Sequence, residues 1–586
     1  MAEKTRTKKG AYAYHRIMVK ASFKPSPEQE VALERYRSGQ DMKLIAVAGS
    51  GKTTTLRLMA ESDPRRRLLY LAFNRSVKEE AEKKFPKNVE VKTLHGLAFG
   101  RVVKGKGAME AKFRAGEGQV RPHHIAEALD TRDPTVALAI RDTLSRFIRS
   151  GDERPRKEHI PVDYRVKREV LSPEKWAKEE EYILQGTEKL WERMKDPGDP
   201  FPLSHDGYVR LWVEGGGNLK GWDGVLVDEA QDLDPLFLSL LERHKGLLQR
   251  IYVGDPRQQI YGWRGAVNAM SRLEAPAATL TWSFRFSDTL GEVVRLLTAK
   301  STGGSIPVVG KAPWETQVDL SQPEAPFTVL TRTNVGAVKA VLLYHDLHGG
   351  RVHVVGGVED LCWLLEDAGD LKEGGERPKP HPELMGVRTW DELEKLGEVS
   401  PQIKVLLDLI QDTNPYVLAG YLRRAQVRPH EAKLLVSTAH KAKGREWDRV
   451  LLWDDFPAWW EDEWDPFGLE TDPEEENLFY VAMTRAREHL SLAKVPSVLE
   501  AIAEVGKGVE ALEDEEEDLL LGPEPSPEPT SEGEASSLTA DLLQWSGEVA
   551  LYLTEIGMRT DLPEDARKRA RELAKALHRL LPVEDP

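Results

Sequence analysis

Several features that define large classes of protein are missing from this sequence of 586 residues. Its only cysteine is Cys362, which excludes a disulfide framework and any zinc or iron–sulfur site built from several cysteines. No apolar run approaches the roughly 20 residues that a membrane span needs. The charged N-terminus is not followed by the apolar stretch of a secretory signal. We therefore expect a soluble intracellular protein, cytoplasmic if its source is a prokaryote or a phage.

Basic residues are outnumbered: 82 Lys and Arg stand against 97 Asp and Glu, a net charge of −15. This balance argues against a small, wholly basic nucleic-acid-binding protein. The excess acid is concentrated in Glu510–Glu534 and Asp454–Glu476, each with eleven carboxylates and no Lys or Arg. The residues outside these two blocks sum to +7. A local basic groove thus remains compatible with the composition.

The ends of the chain differ from its body. Residues 1–21 form a basic arm that is either solvated or in contact with nucleic-acid phosphates. Residues 501–537 are predicted to be an acidic disordered linker, because Pro, Ser, Gly and Glu cannot bury enough apolar surface to offset their ordering entropy. Residues 538–586 are predicted to form a helical pair, either a small appended module or a docking element for a protein partner.

The body of the chain is too long for one core, so we expect two to four domains. Short apolar runs such as Leu68–Phe73 and Val225–Val227 recur between turn residues and helical patterns. Runs that are apolar on both sides indicate parallel strands buried on both faces, and hence α/β domains. Residues 101–203 lack such runs, and Val136–Ile148 and Lys175–Lys195 are predicted helices within this stretch. It is therefore predicted to be a helical insertion.

A glycine-rich turn between a predicted strand and a predicted helix reads AVAGSGKT, from Ala46 to Thr53. In such a turn the backbone N–H groups surround phosphate oxygens, and the helix N-terminus adds its positive end. Lys52 is predicted to reach the β and γ phosphates of ATP, and the Thr53 hydroxyl to coordinate Mg²⁺. The predicted nucleotide-binding residues of the turn are Ala48, Gly49, Ser50, Gly51, Lys52, Thr53 and Thr54.

A pair of carboxylates follows another predicted strand, in the sequence DEAQD beginning at Asp228. Downstream of a phosphate-binding turn, this pattern is typical of a nucleotide hydrolase. Asp228 is predicted to hold Mg²⁺, and Glu229 to polarise the attacking water.

Together with GDPRQQIYGWRGA (254–266), the DEAQD sequence resembles the UvrD/Rep branch of superfamily 1 helicases. The resemblance extends over roughly residues 22 to 497, through six further motifs: LAFNRS (71–76), TLHGLA (93–98), SHDGY (204–208), LTWSFRF (280–286), STAHKAKGREWD (437–448) and EEENLFYVAMTRAR (474–487). The wording of LAFNRS, SHDGY and SFRF is similar to the F-box DNA helicases, although no F-box is recognisable.

The resemblance implies two RecA-like domains with parallel sheets and ATP between them, each domain with a mainly helical insertion. The first domain would comprise residues 22–100 and 204–282, with its insertion at 101–203. The second would comprise 283–357 and 431–500, with a reduced helical insertion at 358–430.

The resemblance also implies roles in the ATP site. Gln29 would read the adenine, and Phe284, where Tyr is more usual, would stack on it. Gln258 would sense the γ-phosphate, and Glu446 would meet the ribose or the second-domain hinge. Arg285 and Arg485 would neutralise charge in the transition state, although each alone could be a surface salt-bridge residue.

Single-stranded DNA is held by phosphate contacts and by aromatic side chains on which bases stack. By resemblance, the stacking residues would be Phe73, Tyr261 and Trp263. Outside their motifs, Phe73 and Trp263 could equally be core residues, and His95 and His440 could be structural histidines. The predicted phosphate or sugar contacts are Asn74, Arg75, Thr93, His95, Arg264, Thr438, His440 and Lys441.

Three hypotheses for function follow. The first is an ATP-dependent 3′→5′ DNA helicase and translocase acting on single strands and single-strand/duplex junctions, in repair, recombination or replication. The second is a translocase that mainly displaces or remodels bound proteins, such as recombinase filaments, and unwinds weakly. The third is a non-motor binding protein with an inert nucleotide fold, which the joint presence of Lys52, Glu229, Arg285 and Arg485 disfavours.

Overall fold

The computed structural model describes residues 24–505, apart from 73–74, 132, 166–171, 263–268, 346–349, 378–379, 385–386, 400, 412 and 461–472. The predicted basic arm, most of the predicted linker and the predicted C-terminal helical pair lie outside the described residues. So do four of the predicted DNA contacts, which are Phe73, Asn74, Trp263 and Arg264.

The first half of the chain is built on a six-stranded, fully parallel sheet with the strand order β3-β2-β4-β5-β1-β6. Its strands are β1 (Met42–Ala46), β2 (Leu68–Ala72), β3 (Val89–Thr93), β4 (Gly224–Val227), β5 (Gln249–Gly254) and β6 (Ala277–Leu280). Every residue of β2 and β4 is buried. This burial on both faces explains why their sequences are continuous apolar runs.

Twelve helices accompany this sheet in the described part of the chain. They are α1 (Pro27–Arg37), α2 (Lys52–Ser62), α3 (Arg75–Lys84), α4 (Leu94–Val102), α5 (Ala108–Ala115), α6 (Pro122–Leu129), α7 (Pro134–Ser150), α8 (Val162–Arg165), α9 (Pro173–Lys195), α10 (His205–Glu214), α11 (Pro235–Glu242) and α12 (Ala269–Arg272).

Helices α5 to α9 form the insertion between β3 and β4. Leu144 and Phe147 of α7 share a buried core with Leu190 of α9 and with Val225 and Val227 of the sheet. The insertion is therefore packed against one face of the sheet rather than attached by its ends alone. Its two longest helices begin slightly before the predicted Val136 and Lys175, each with a proline at the first position.

The second half is built on another six-stranded parallel sheet, with the order β11-β12-β10-β13-β14-β9, and on a separate two-stranded pair, β7-β8. The strands are β7 (Trp282–Ser283), β8 (Val309–Gly310), β9 (Gln317–Asp319), β10 (Phe327–Thr331), β11 (Val352–Val354), β12 (Leu434–Thr438), β13 (Trp447–Leu452) and β14 (Ala486–Ser491). The helices are α13 (Asp288–Ala299), α14 (Asn334–His345), α15 (Glu359–Glu373), α16 (Trp390–Val399), α17 (Pro401–Gln411), α18 (Pro415–Ala425), α19 (Ala439–Ala442) and α20 (Pro473–Met483).

Helices α15 to α18 form the smaller insertion between β11 and β12. Leu361 and Leu365 of α15 and Leu422 of α18 pack in one core with Val352 and Val354 of β11. The fold class is therefore confirmed: an α/β protein with two parallel sheets, each with a mainly helical insertion. None of the helices in the described residues has the length and apolar composition of a membrane span.

Two acidic regions differ from a simple solvated tail. The predicted start of the linker at residue 501 is wrong, because residues 497–505 are helical and Val498 and Ala501 pack into the second core. In the block Asp454–Glu476, the half-buried Asp455 accepts hydrogen bonds from the backbone N–H groups of Arg332 and Thr333. Glu475 forms a two-pronged ion pair with the side chain of the same arginine. These acids hold β10 in place.

The two halves share a core around the glycine-rich turn. Val47, Ala48 and Ile260 of the first half pack in one cluster with Phe286 and Tyr480 of the second. The turn that is predicted to bind phosphate thus lies where the two halves meet.

Candidate active site

The glycine-rich turn leaves β1 and enters α2 through two residues with left-handed backbone. Gly49 has φ +74° and Gly51 has φ +79°, values that a side chain disfavours. A Cβ atom on Gly49 would also lie only 2.6 Å from Ser283 Oγ and 2.7 Å from Arg285 Cβ. Glycine at position 49 is thus required both by the turn and by the close approach of the second half.

Thr53 and Asp228 follow β1 and β4, the two strands that lie on either side of β5, and they meet at the carboxyl edge of the sheet. Thr53 Oγ1 donates to Asp228 Oδ2 at 3.3 Å, and the Tyr70 hydroxyl donates to the same oxygen at 2.7 Å. Burial, with the adjacent charge of Glu229, raises the pKa of Asp228. Within the described residues no cluster of three or more carboxylate, histidine or cysteine ligands occurs. Mg²⁺ in nucleotide sites needs only one or two protein ligands besides phosphates and waters, so this pair fits it.

Glu229 lies beside this pair in a left-handed conformation, with φ +53°. Gln231 Nε2 donates to its carboxylate at 2.6 Å. Burial opposes ionisation, but the positive charge of Lys52, followed by those of Lys443 and Arg485, lowers the pKa of Glu229 overall. Glu229 is therefore held as a carboxylate that can accept a hydrogen bond from water.

Gln258 lies on the first-half loop after β5. Its Nε2 donates to Asp255 Oδ2 at 2.7 Å, and its backbone carbonyl accepts from Lys443 Nζ at 2.5 Å. Lys443 also donates to Asp232 Oδ2 at 2.6 Å. The Lys443 ammonium group, from the second half, thereby links the DEAQD motif and the loop after β5, both in the first half.

The two predicted arginines reach the turn from the second half. Arg285 Nε contacts Glu446 Oε2 at 2.8 Å, and Arg285 Nη1 donates to the Thr484 carbonyl at 2.8 Å. Arg485 is fully buried and donates to the Val481 carbonyl and the Thr484 hydroxyl. Burial, followed by the charge of Arg285, lowers the pKa of Arg485 to about 9. Glu446, which was expected at the ribose or the hinge, is an ion-pair partner of Arg285.

The predicted base site is a cavity of about 370 Å³, lined by residues 24–27, Gln29, Glu30, Trp282 and Phe284. Gln29 accepts from the Ser26 N–H at 3.0 Å and donates to Thr55 Oγ1 at 3.0 Å. Phe284 is 39% exposed, so its ring is available to a ligand. Ala48 and Thr54 flank the turn, the first bonded through its N–H to the Tyr480 hydroxyl and the second in the first turn of α2.

Thr93 and Thr438 have matching positions in the two halves. Each ends a strand, each is the N-cap of the following helix, and each is followed two residues later by a histidine. Thr93 Oγ1 accepts from the Gly96 N–H, and Thr438 Oγ1 from the Lys441 N–H.

The histidine of the first half has a structural partner. His95 Nε2 lies 3.1 Å from Asp206 Oδ1, and its ring packs at an angle against Tyr208. The sequence motifs TLHGLA and SHDGY therefore meet in space. His95 stays about half exposed, so it can also face a ligand.

The remaining predicted DNA contacts within the described residues have partly or largely exposed side chains. Arg75 is largely exposed and forms an ion pair with Glu79 of its own helix. Lys441 Nζ lies 3.4 Å from Asp360 Oδ2. The Tyr261 hydroxyl lies 3.5 Å from the His440 carbonyl, and Lys443 lies over the Tyr261 ring.

Sequence reasoning gave no role to four residues that the structure places in the site: Tyr70, Asp255, Lys443 and Tyr480. Asp255, Lys443 and Tyr480 stand inside motifs that were recognised, so those motifs were the available signal. Their partners are distant in sequence, however, and only the fold brings them together.

Two parts of the chain match known protein families. Residues 29–264 match an AAA domain, and residues 388–496 match the UvrD-like helicase C-terminal domain. The chain is therefore similar to the UvrD-like helicases in its C-terminal part. The first match contains Lys52, Asp228, Glu229 and Gln258, and the second contains Arg485.

Two relatives are F-box DNA helicases, the group whose motifs this sequence resembles. This chain is 28% identical over 514 residues to F-box DNA helicase 1 of Gallus gallus, covering 81% of this chain and 49% of the relative. It is 29% identical over 513 residues to F-box DNA helicase protein 1 of Schizosaccharomyces pombe, covering 79% and 57%. This chain therefore spans about half the length of these relatives.

Proposed function

We propose that this protein is an ATP-driven DNA helicase and translocase that moves 3′→5′ along single strands, in DNA repair, recombination or replication. The observation that carries the proposal is the origin of the catalytic groups. Lys52 and Glu229 come from the first half, while Arg285 and Arg485 come from the second. A site completed by two domains hydrolyses ATP only when the domains close, and closure is a motor stroke.

In the proposed reaction, Lys52 binds the β and γ phosphates and Glu229 orients the attacking water. Arg285 and Arg485 stabilise the charge that spreads over the transferred phosphoryl group. Mg²⁺ held by Thr53 and Asp228 would neutralise phosphate charge. Gln29 and Phe284 position the base so that the phosphates meet these groups.

The strand would cross both halves. Thr93 and His95 of the first half, and Thr438, His440 and Lys441 of the second, are proposed to hold phosphates and sugars, while Tyr261 supports a base. Because both halves contact the DNA, each closure of the two halves would move one set of DNA contacts relative to the other. The 3′→5′ direction rests on the wording of the WRGA and AHKAKG sequences.

The first experiment measures ATP hydrolysis with and without single-stranded DNA. We expect strong stimulation by DNA in the wild type and its loss in Lys52→Ala. The matched control is Lys245→Ala, which removes an exposed lysine after α11. Hydrolysis that survives in Lys52→Ala would contradict the assignment of the site.

Direction is tested separately with duplexes that carry one single-stranded tail. We expect strand separation from a 3′ tail and none from a 5′ tail. Separation from the 5′ tail alone would refute the proposed polarity without touching the proposed ATPase.

A second candidate function is the displacement of DNA-bound proteins with weak unwinding. It is favoured by the small second insertion, which has only α15 to α18 among the described residues. Unwinding and clearance of a recombinase filament should be compared in the full chain and in a chain without residues 510–586. Fast clearance with slow unwinding would favour this second function.

A further inference from the structure

A buried tyrosine of the second half holds the phosphate-binding turn of the first. The Tyr480 hydroxyl accepts from the Ala48 N–H at 3.0 Å and donates to Asp255 Oδ2 at 3.1 Å. Tyr480 is 1% exposed, and both bonds cross between the two halves. One hydroxyl thus joins the glycine-rich turn to the loop that carries Gln258.

The same helix, α20, binds the rest of that loop through its first two turns. Asn477 Nδ2 donates to the Gln259 carbonyl at 3.0 Å, and Glu474 Oε1 accepts from the Gly262 N–H at 3.2 Å. The buried Glu476 lies 3.4 Å from Arg257. Residues 255–262, which include the predicted γ-phosphate sensor Gln258 and the predicted base support Tyr261, are therefore fastened along one helix.

Arg485 follows two residues after the end of α20 and is bonded back to it through the Val481 carbonyl. A movement of α20 would therefore also move the Arg485 guanidinium and the glycine-rich turn at Ala48. It would move the 255–262 loop with them. Rigid elements with contacts at both ends transmit a change at one site to another.

We propose that Tyr480 is a positioning residue that couples ATP hydrolysis to DNA binding, by joining the phosphate-binding turn and the 255–262 loop to the arginine-bearing helix. The inference rests on the proposed function and deepens it. Tyr480 itself touches no reacting atom; it acts by fixing where the turn and Gln258 lie relative to Arg485.

The hydroxyl, rather than the ring, is the group that decides between this role and simple core packing. A phenylalanine would fill the same space, because the ring packs in the core shared by the two halves. Without the hydroxyl, the Ala48 N–H loses its partner and Asp255 Oδ2 keeps only the bond from Gln258 Nε2, so the arrangement that joins the two halves is destabilised. Packing alone predicts that Tyr480→Phe changes nothing.

The test compares Tyr480→Phe with Tyr344→Phe in the full chain. Tyr344 is also a buried tyrosine of the second half, but its hydroxyl bonds to Gln322 of the same half. With saturating single-stranded DNA, we expect kcat for ATP to fall roughly tenfold in Tyr480→Phe while KM changes less than threefold. A non-hydrolysable ATP analogue should alter the affinity of the wild type for a labelled oligonucleotide, and this effect should be lost in Tyr480→Phe, because linked binding needs the connection. Tyr344→Phe should match the wild type.

Asp255→Asn alone tests the same link without changing the tyrosine, so its effect on kcat remains informative if Tyr480→Phe is poorly folded. Asp255→Asn weakens the same link from the other side, so the double variant should lose about as much kcat as the worse single one. Losses that multiply in the double variant, or wild-type kcat in either single variant, would overturn the inference. A wild-type protein without DNA-stimulated hydrolysis would instead overturn the proposed function, and the inference with it.

Discussion

Arg285 and Arg485 both donate hydrogen bonds to Thr484, one to its carbonyl at 2.8 Å and the other to its hydroxyl at 3.0 Å. Two positive charges are thereby held side by side next to the glycine-rich turn. Burial lowers the pKa of Arg485, and the neighbouring charge of Arg285 lowers it further. An anionic phosphate at this position would relieve the repulsion, so the arrangement favours a highly charged ligand.

The first prediction concerns Arg485. Arg485→Lys keeps a positive charge but loses the planar fork that donates to several acceptors at once. Arginine fingers contribute about 10³–10⁵ in rate, and we expect Arg485→Lys to reduce kcat at least ~100-fold with little change in KM. Steady-state ATPase measurements check this, with Arg424→Lys on the exposed face of α18 as the control. Equal losses in both variants would contradict a specific role.

The second prediction separates binding from turnover at Glu229. Glu229→Gln preserves the side-chain shape but removes the charge that orients water, so hydrolysis should fall by about 10²–10⁴. Binding of ATP and of a labelled oligonucleotide should persist, as measured by fluorescence anisotropy. The exposed Glu274 provides the matched control Glu274→Gln, which should hydrolyse ATP normally. Near-normal turnover in Glu229→Gln would remove Glu229 from the mechanism.

The third prediction concerns stability and pH at Asp234, the N-cap of α11, which accepts from the Phe237 N–H at 2.7 Å. Burial, with the nearby charge of Asp206, raises the pKa of Asp234 to about 6 from 3.8. Because the folded pKa is the higher one, ionisation costs the folded state stability, a cost that is absent below about pH 4 and complete above about pH 6.

Asp234→Asn keeps the cap and removes this cost. One pKa unit corresponds to about 1.4 kcal/mol, so we expect a gain of roughly 1–2 kcal/mol and a Tm higher by roughly 2–4 °C at pH 8. The gain should vanish at pH 4. Thermal denaturation of Asp234→Asn and of the exposed control Asp391→Asn at both pH values checks this. A gain that is independent of pH would show another cause.

The fourth prediction concerns the base cavity. Stacking of a base on an aromatic ring contributes about 1–3 kcal/mol. We therefore expect Phe284→Ala to raise KM for ATP roughly tenfold while kcat at saturation changes little. Phe284→Tyr, which keeps the ring, should bind like the wild type. An unchanged KM in Phe284→Ala would place the base elsewhere.

The strands with continuous apolar runs could be predicted from the sequence to within a few residues. The run Leu68–Phe73, for example, became β2 (Leu68–Ala72). The short strands β7 and β9 could not, because two or three residues contain no periodicity. The linker was placed too early: Val498, Leu499, Ala501 and Ile502 pack with the second core, and the acidic run that indicates a linker begins only at Glu510.

Residues of the site were predictable where one short segment performs the chemistry, as with Lys52 and Thr53 in the glycine-rich turn. Lys443 and Tyr480 were not, because their roles depend on partners 185 and 225 positions away. No local pattern encodes such a distance. Position by position, the predicted roles await the experiments above.

Each of the two insertions follows an edge strand of its sheet, β3 in the first sheet and β11 in the second. Neither one interrupts hydrogen bonding between inner strands, and each doubling of a flexible connection costs only about 0.6 kcal/mol. Evolution could therefore lengthen or shorten these insertions without changing the two parallel sheets. The same two places offer an engineer sites at which to graft a sensor or a new binding module.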